Sequence, residues 1–258
     1  MGAIPDADAM RNYLQKDLAV PSSQIRTLRN SEATRAAIID GIQAFSFNNE
    51  IKEGDPILIY FAGHGGSADT PKGWEVGSTG KIELLVPYDH SSPPDDGNPK
   101  HGIPDRTLGA LLSQRAIEKG DNIVRCTFIF RESIYQLTTR QTVILDCCHS
   151  GSGTRDPTFR ARAIKVGNIP SNLDQDIWTR SHGVFECSER GTEVDSGFAR
   201  KGLRSHVLLA ACRSQELAYE RTDRGLFTVA LLKTLMDIGI DKLTYATLFD
   251  RMPLLSSG

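Results

Sequence analysis

Short apolar runs alternate with helical periodicities along the chain. Residues 6–18, DADAMRNYLQKDL, set Ala9, Met10, Tyr13, Leu14 and Leu18 at helical spacing, and residues 31–46 read as a second helix with Ser31 as its N-cap. Gly54 and Pro56 then punctuate the chain before the continuous apolar run Ile57 to Phe61, the pattern of a strand buried on both faces. Two more such runs follow, Thr142 to Leu145 and His206 to Ala211. Residues 65–104 are rich in Gly, Pro, Ser and Asp, which predicts a long surface loop around one short strand, Leu84 to Val86. A helix is predicted over 105–118, with Asp105 near its cap, and two more over 225–236 and 244–252. Residues 152–204 read as a long polar stretch of little periodicity. Helices alternating with apolar strands predict an α/β domain with a parallel, doubly wound sheet. The pattern opens on a helix, so a first strand is expected to be missing, and it stops at LLSSG without a closing element.

Composition narrows the function classes. The chain has 258 residues, suited to one α/β domain or two small ones, with 39% hydrophobic and 24% charged residues. A net charge of −2 gives neither a nucleic-acid footprint nor a polybasic membrane patch. No apolar run approaches the ~18 residues that span a bilayer. The opening MGAIPDADAM lacks the basic and apolar regions of a signal peptide, and Asp6 stands where a myristoylation motif wants Ser or Thr. A cytoplasmic location is expected. The five cysteines, Cys126, Cys147, Cys148, Cys187 and Cys212, are odd in number and irregularly spaced, which fits neither a disulfide framework nor a zinc site. Thiols in a reducing compartment remain, one of them reactive.

The candidate chemistry lies at two strand ends. ILIYF leads into AGHGG, and TVIL leads into DCCHSG. Ligands of open α/β sheets bind beyond the carboxyl ends of the strands. If these two strands are neighbours, His64 and a cysteine face each other there, and an imidazole can deprotonate a thiol or pair with its thiolate. The glycines flanking His64 let a substrate backbone approach, and the N–H groups of Gly65 and Cys148 can serve a tetrahedral oxyanion.

ILIYFAGHGG and TVILDCCHSGSG resemble the two catalytic blocks of metacaspases, members of the caspase-like cysteine peptidases. HVLLAACRSQELAYE with GLFTVALLKTL resembles their small-subunit region, and GAIPDADAMRNYL resembles the segment after their first strand. The match covers nearly the whole chain. It implies a caspase-like three-layer α/β/α fold in a single domain, with a large-subunit-like region over 1–154, a linker over 155–204 and a small-subunit-like region over 205–258. The family pattern Asp-x-Cys-His-Ser-Gly falls on Asp146, Cys147, Cys148, His149, Ser150 and Gly151, so the resemblance makes Cys148 the nucleophile and Cys147 its inward-pointing neighbour. Adjacent side chains diverge at a strand end, which favours His64 over His149 as the base. The resemblance further implies cleavage after Arg or Lys, with Asp6 and Asp146 as pocket acids. Asp6 has a plainer reading as an acidic residue favoured by a helix dipole. Carboxylates at the floor of a cleft suit a cationic side chain, and paired geometry suits Arg. Within the expected linker, Arg160, Arg162, Lys165 and Arg180 are candidate self-cleavage sites.

Many metacaspases need calcium as an activator. Asp95, Asp96, Asp105 and Asp156 offer oxygen ligands, but their spacing forms no calcium loop and position 155 is Arg155. Polypeptides with a basic residue before the cut bond are the expected partners, without nucleic acid or membrane; the sequence leaves the oligomeric state open, a monomer being one reading. The resemblance also suggests a link to apoptosis. Residues 124–141, VRCTFIFRESIYQLTTRQ, interrupt the join KGDNI–TVILDCCHSG with no turn chemistry at either edge, and read as a retained intron or, alternatively, a family-specific insertion. Two rival functions stand. A serine esterase would need G-x-S-x-G, which is absent around Ser150 and Ser152. A catalytically inactive caspase-like scaffold is the alternative within the family.

Overall fold

The computed structural model of the chain describes residues 2–52, 55–74, 80–90, 100–119, 141–147, 160–182, 207–211, 219–221 and 223–253. Helix α1 (Ala3–Lys16) buries Asp6, Met10 and Tyr13, one stripe at i, i+4 and i+7. Helix α2 (Arg35–Phe47) starts later than the sequence predicts. Its cap is Thr34, whose hydroxyl accepts from the Ala37 N–H, while Ser31 sits in a short 3-10 turn before it. Thr34 wins because its extended backbone lets the hydroxyl reach back over the first turn.

Strand β1 (Ile57–Ala62) leads through Gly63 into β2 (His64–Asp69), which pairs antiparallel with β3 (Lys81–Val86), itself paired with the short β4 (Ile103–Pro104). The predicted loop around one strand is thus corrected: of its described residues, those of β2 and β4 pair with the expected strand β3 in one sheet. Its strand HGGSAD carries no apolar alternation, because Gly65, Gly66 and Ala68 are buried by close approach of neighbours rather than by large side chains. Helix α3 (Asp105–Lys119) precedes β5 (Gln141–Asp146), and Gln141, the last residue of the anomalous segment 124–141, opens that strand. The rest of that segment lies outside the described residues.

The expected linker holds further elements: β6 (Arg160–Ala161), β7 (Ala163–Lys165) and α4 (Gln175–His182). Ile169, Ile177 and Trp178 are buried in the main core, so this stretch is not a solvated linker throughout. Trp178 stacks edge-on against Trp74 with ring centroids 4.5 Å apart, and Asp174 pairs with Arg35 at 2.5 Å. The chain continues through β8 (Val207–Ala210), β9 (Tyr219–Arg221), β10 (Arg224–Gly225), α5 (Leu226–Ile238) and α6 (Tyr245–Arg251).

Strands β1, β5 and β8 form a parallel sheet in the order β1-β5-β8. Side chains alternate across it. Val143 and Leu145 enter a core shared with α2, α3 and α4, whereas Ile144 and Leu209 enter a second core shared with α1, α5 and α6. Helices therefore cover both faces, which is the caspase-like α/β arrangement. A second sheet runs β4-β3-β2-β7 and a third β10-β9-β6. Both reach the carboxyl ends of β1 and β5.

Candidate active site

The register of the parallel sheet fixes the site. Ala62 at the end of β1 is opposite Asp146 at the end of β5, and the Gly63 N–H donates to the Asp146 carbonyl at 3.3 Å. A Cβ on Gly63 would meet the Phe61 ring at 2.9 Å and push it aside. The pairing of Ala62 with Asp146 delivers His64, two residues on, beside the end of β5. Cys147 follows Asp146 and is buried at 2% exposure in the main core. Cys148, His149, Ser150 and Gly151 lie outside the described residues.

Asp6 reaches the same place from α1. Its Oδ2 accepts from the Gly225 N–H at 2.8 Å, and its Oδ1 accepts from Arg224 Nε at 2.6 Å. Asp146 is held from α5. Its Oδ2 accepts from the Thr228 hydroxyl at 2.6 Å and from the Thr228 N–H at 3.3 Å, and that hydroxyl is 2.6 Å from Tyr60 Oη. Both carboxylates are fully buried. Glu220 on β9 adds a third acid, accepting from the Gly2 N–H at 3.0 Å.

Arg162 fills the space between these acids. Its Nη2 donates to Asp6 Oδ2 at 2.5 Å, its Nη1 lies 3.2 Å from Asp146 Oδ2 and donates to the Asp146 carbonyl at 3.1 Å, and its Nε is 3.5 Å from Glu220 Oε2. The side chain is 2% exposed. Burial opposes its charge, but Asp146, Asp6 and Glu220 outweigh that and raise its pKa. Burial raises the Asp146 carboxyl, and Asp6 adds to this, while Arg162 and Thr228 oppose it; the net direction is upward. A Cβ on Gly225 would stand 2.1 Å from Asp146 Oδ2, 2.8 Å from Asp6 Oδ2 and 2.9 Å from Arg162 Nη1, so the pocket exists because residue 225 has no side chain.

The main chain of Arg162 is held as well. The Gly65 N–H donates to its carbonyl oxygen at 2.9 Å. His64 is close by. Burial lowers its imidazole pKa, while a hydrogen bond to the Arg162 main chain and the charge of Glu220 pull it upward; the net direction is down. Among the described residues its buried Nδ1 has no partner. On one side of Arg162, β6 runs antiparallel to β9, with Arg160 opposite Glu220 and Ala161 opposite Tyr219. On the other side, β7 runs parallel to β2, with Ala163 opposite Gly65 and Lys165 opposite Ser67.

Four of the residues singled out from the sequence, Asp6, His64, Gly65 and Asp146, thus surround one arginine. Three others were missed. Glu220 carries no sequence signal in the run AYER. Thr228 and Gly225 had a weak one, since Thr228 is a polar residue inside the apolar run LFTVALL. Of the remaining self-cleavage candidates, Arg160 and Lys165 lie in β6 and β7, and Arg180 is exposed on α4 with Asp176 at 3.8 Å. Of the calcium candidates, Asp105 is buried and accepts from the Arg106 N–H at 2.6 Å, while Asp95, Asp96, Arg155 and Asp156 lie outside the described residues. No group of three or more His, Cys, Asp or Glu suited to a metal ion occurs among the described residues. Among them, too, no helix is long and apolar enough to cross a membrane.

The family model described as the caspase domain of C14 peptidases matches residues 1–254. Among solved structures, the crystal structure of a Geobacter sulfurreducens protein is similar with a TM-score of 0.50 and 22% identity, covering 90% of this chain and 74% of that one, a likeness of fold alone. No curated protein matches the chain.

Proposed function

Because the chain belongs to the caspase-domain family of C14 peptidases, we propose that it is a cysteine endopeptidase of the metacaspase type, cutting polypeptides after Arg or Lys with His64 and Cys148 as its catalytic pair. The observation that carries this reading is the grip on Arg162: three carboxylates on its guanidinium and the Gly65 N–H on its carbonyl oxygen. Arg224 offsets part of the charge of Asp6, but three acids with one such cation keep uncompensated charge when the pocket is empty, and a cationic side chain restores the balance. The two nitrogens Nη1 and Nη2 reach Asp146 and Asp6 separately, a division that the single ammonium of Lys cannot copy. Arg is therefore preferred over Lys, and an acidic side chain is excluded by like charge.

A substrate Arg seated in this way has its carbonyl carbon beside His64. In the proposed reaction the neutral imidazole takes the Cys148 proton, and the thiolate attacks the carbonyl carbon. The Gly65 and Cys148 N–H groups receive the negative oxygen, each such donor contributing about 3 kcal/mol to transition-state stabilisation. His64 returns the proton to the leaving amine as the C–N bond breaks, leaving a thioester that water hydrolyses with His64 as base. The lowered imidazole pKa keeps this base neutral near pH 7.

The test uses fluorogenic peptides ending in Arg, Lys or Asp, with and without calcium. Turnover is expected in the order Arg, Lys, then none for Asp, and it is expected to vanish in Cys148→Ala and His64→Ala. Turnover of the Asp peptide, or Arg turnover that survives Cys148→Ala, contradicts the proposal.

A further inference from the structure

We infer that Tyr60 is a positioning residue of the specificity pocket: its hydroxyl fixes Thr228, and Thr228 in turn aims the Asp146 carboxylate at the cation to be bound. The inference rests on the proposed basic-specific pocket and names a further residue that sets its selectivity. The strand register brings the groups together. Ala62 is opposite Asp146, and Tyr60 is opposite Ile144. Side chains two apart on a strand share a face, so Tyr60 and Asp146 both point to the side where Ile144 meets α1 and α5. Thr228, fully buried in the first turn of α5, stands between them. Its hydroxyl oxygen is 2.6 Å from Tyr60 Oη and 2.6 Å from Asp146 Oδ2.

Proton counting gives this chain of hydroxyls a direction. The Thr228 hydroxyl has a single hydrogen, and an ionised Asp146 can only accept, so that hydrogen goes to Oδ2. Tyr60 must then donate to Thr228 Oγ1. Burial, with the charge of Asp146 added to it, pushes the Tyr60 phenol upward, so Tyr60 keeps its proton and stays the donor. A donor bonded to Oγ1 strengthens the Thr228 hydroxyl as a donor in its turn. It also holds that hydroxyl away from the alternative open to a helical threonine, donation to a carbonyl of the preceding turn. Thr234 of the same helix takes that alternative, donating to the Ala230 carbonyl at 2.8 Å.

The two pocket acids differ in how they are fixed. Asp6 is held through both oxygens by groups other than Arg162, the Gly225 N–H and Arg224. Asp146 is held through Oδ2, and its buried Oδ1 has no hydrogen-bond partner among the described residues. Apart from Arg162, Thr228 is what the described residues offer it, by hydroxyl and by N–H. With Arg162 out of the pocket, the aim of Asp146 therefore depends on Thr228, and that of the Thr228 hydroxyl on Tyr60. The Tyr60 ring packs with the α1 and α5 core, a task that Phe would perform equally, and only its hydroxyl reaches Thr228. Loss of that hydroxyl loosens Asp146 and leaves Asp6 fixed. A bound guanidinium, which needs both acids at once, then loses part of its advantage over an uncharged side chain.

The experiment measures kcat and KM for peptides ending in Arg and in citrulline, with thermal midpoints alongside, on the full chain. The variants are Tyr60→Phe, Thr228→Val, Thr228→Ser, and Tyr60→Phe combined with each of the two. Tyr60→Phe is expected to lower kcat/KM for the Arg peptide about three- to tenfold, mainly by raising KM. The citrulline value is expected to stay within about twofold of wild type. Tyr60→Phe is expected to have the same effect on Thr228→Ser, which keeps the hydroxyl, and to change Thr228→Val by less than about twofold, because the group it acts through is gone. Equal losses for the two peptides, a lowered thermal midpoint with an unchanged Arg-to-citrulline ratio, or an undiminished effect on Thr228→Val overturns this inference. If wild type prefers the Arg peptide in those cases, the pocket reading stands. Absence of an Arg preference in wild type overturns both.

Discussion

Replacing Asp6 by Asn removes one charge from the pocket and almost none of its volume, and it turns one of two oxygens that accept from Arg162, Gly225 and Arg224 into a donor. Asp6 Oδ2 stands 2.5 Å from the Arg162 guanidinium, with the two side chains 0% and 2% exposed, so solvent screens the pair little. Removing one partner of a buried, hydrogen-bonded charge pair costs about 2–5 kcal/mol. Asp146 and Glu220 remain near the guanidinium, which argues for the lower half of that range. A loss of about 2–3 kcal/mol is a fall of about 30- to 150-fold in kcat/KM for Arg peptides. A peptide with citrulline in place of Arg should lose much less, since it brings no charge to the pocket. The stability effect depends on occupancy. With Arg162 in the pocket the change breaks two ion pairs, to Arg162 and to Arg224, and lowers the thermal midpoint; with the pocket empty only the Arg224 pair is lost and the relieved repulsion between Asp6 and Asp146 offsets part of it, so the fall is smaller. The assay is kcat/KM for the Arg and citrulline peptides side by side. Equal losses for both, or an Arg value within about threefold of wild type, refute the assignment of Asp6 to the pocket.

Gly225→Ala places a methyl 2.1 Å from Asp146 Oδ2, which should abolish Arg-peptide turnover while circular dichroism stays native. Thr228→Val keeps the side-chain shape but removes the 2.6 Å hydroxyl bond to Asp146, so unfolding is expected about 1–3 kcal/mol easier by urea titration, with reduced Arg selectivity. Because burial lowers the His64 imidazole, the acid limb of kcat/KM should have its midpoint below the ordinary value of 6.5; a midpoint above it contradicts the role of free imidazole as base. Burial pushes the Asp105 carboxyl from 3.8 up to about 7. A raised carboxyl favours the folded state while protonated, so stability should fall as pH rises from about 4 to about 7, and Asp105→Asn should flatten that slope.

What could be read from the sequence divides by the kind of burial. The strands β1, β5 and β8 are covered on both faces, so ILIYF, TVIL and VLLA appear as apolar runs, and the residues at their ends follow directly. Strand β2 gave no such signal because its inward residues are glycines and Ala68. Asp6 was legible as a buried acid, because it shares a helix face with Met10 and Tyr13, where a carboxylate needs a partner. That partner could not be read off, since Arg162 comes from a polar stretch 156 positions away in the chain. Glu220 and Gly225 were hidden for the same reason: their value lies in a three-dimensional convergence with no local periodicity. Thr34 rather than Ser31 caps α2 because only backbone geometry distinguishes two good capping residues three positions apart.

The most direct measurement is labelling of the full chain with a thiol-reactive peptide that ends in Arg, followed by mapping of the modified cysteine. One adduct on Cys148 is expected, formed much faster than with the matching Asp reagent and suppressed in both His64→Ala and Asp6→Asn. Labelling of Cys147 or another cysteine instead, or equal rates for the Arg and Asp reagents, contradicts a basic-specific pocket served by His64 and Cys148.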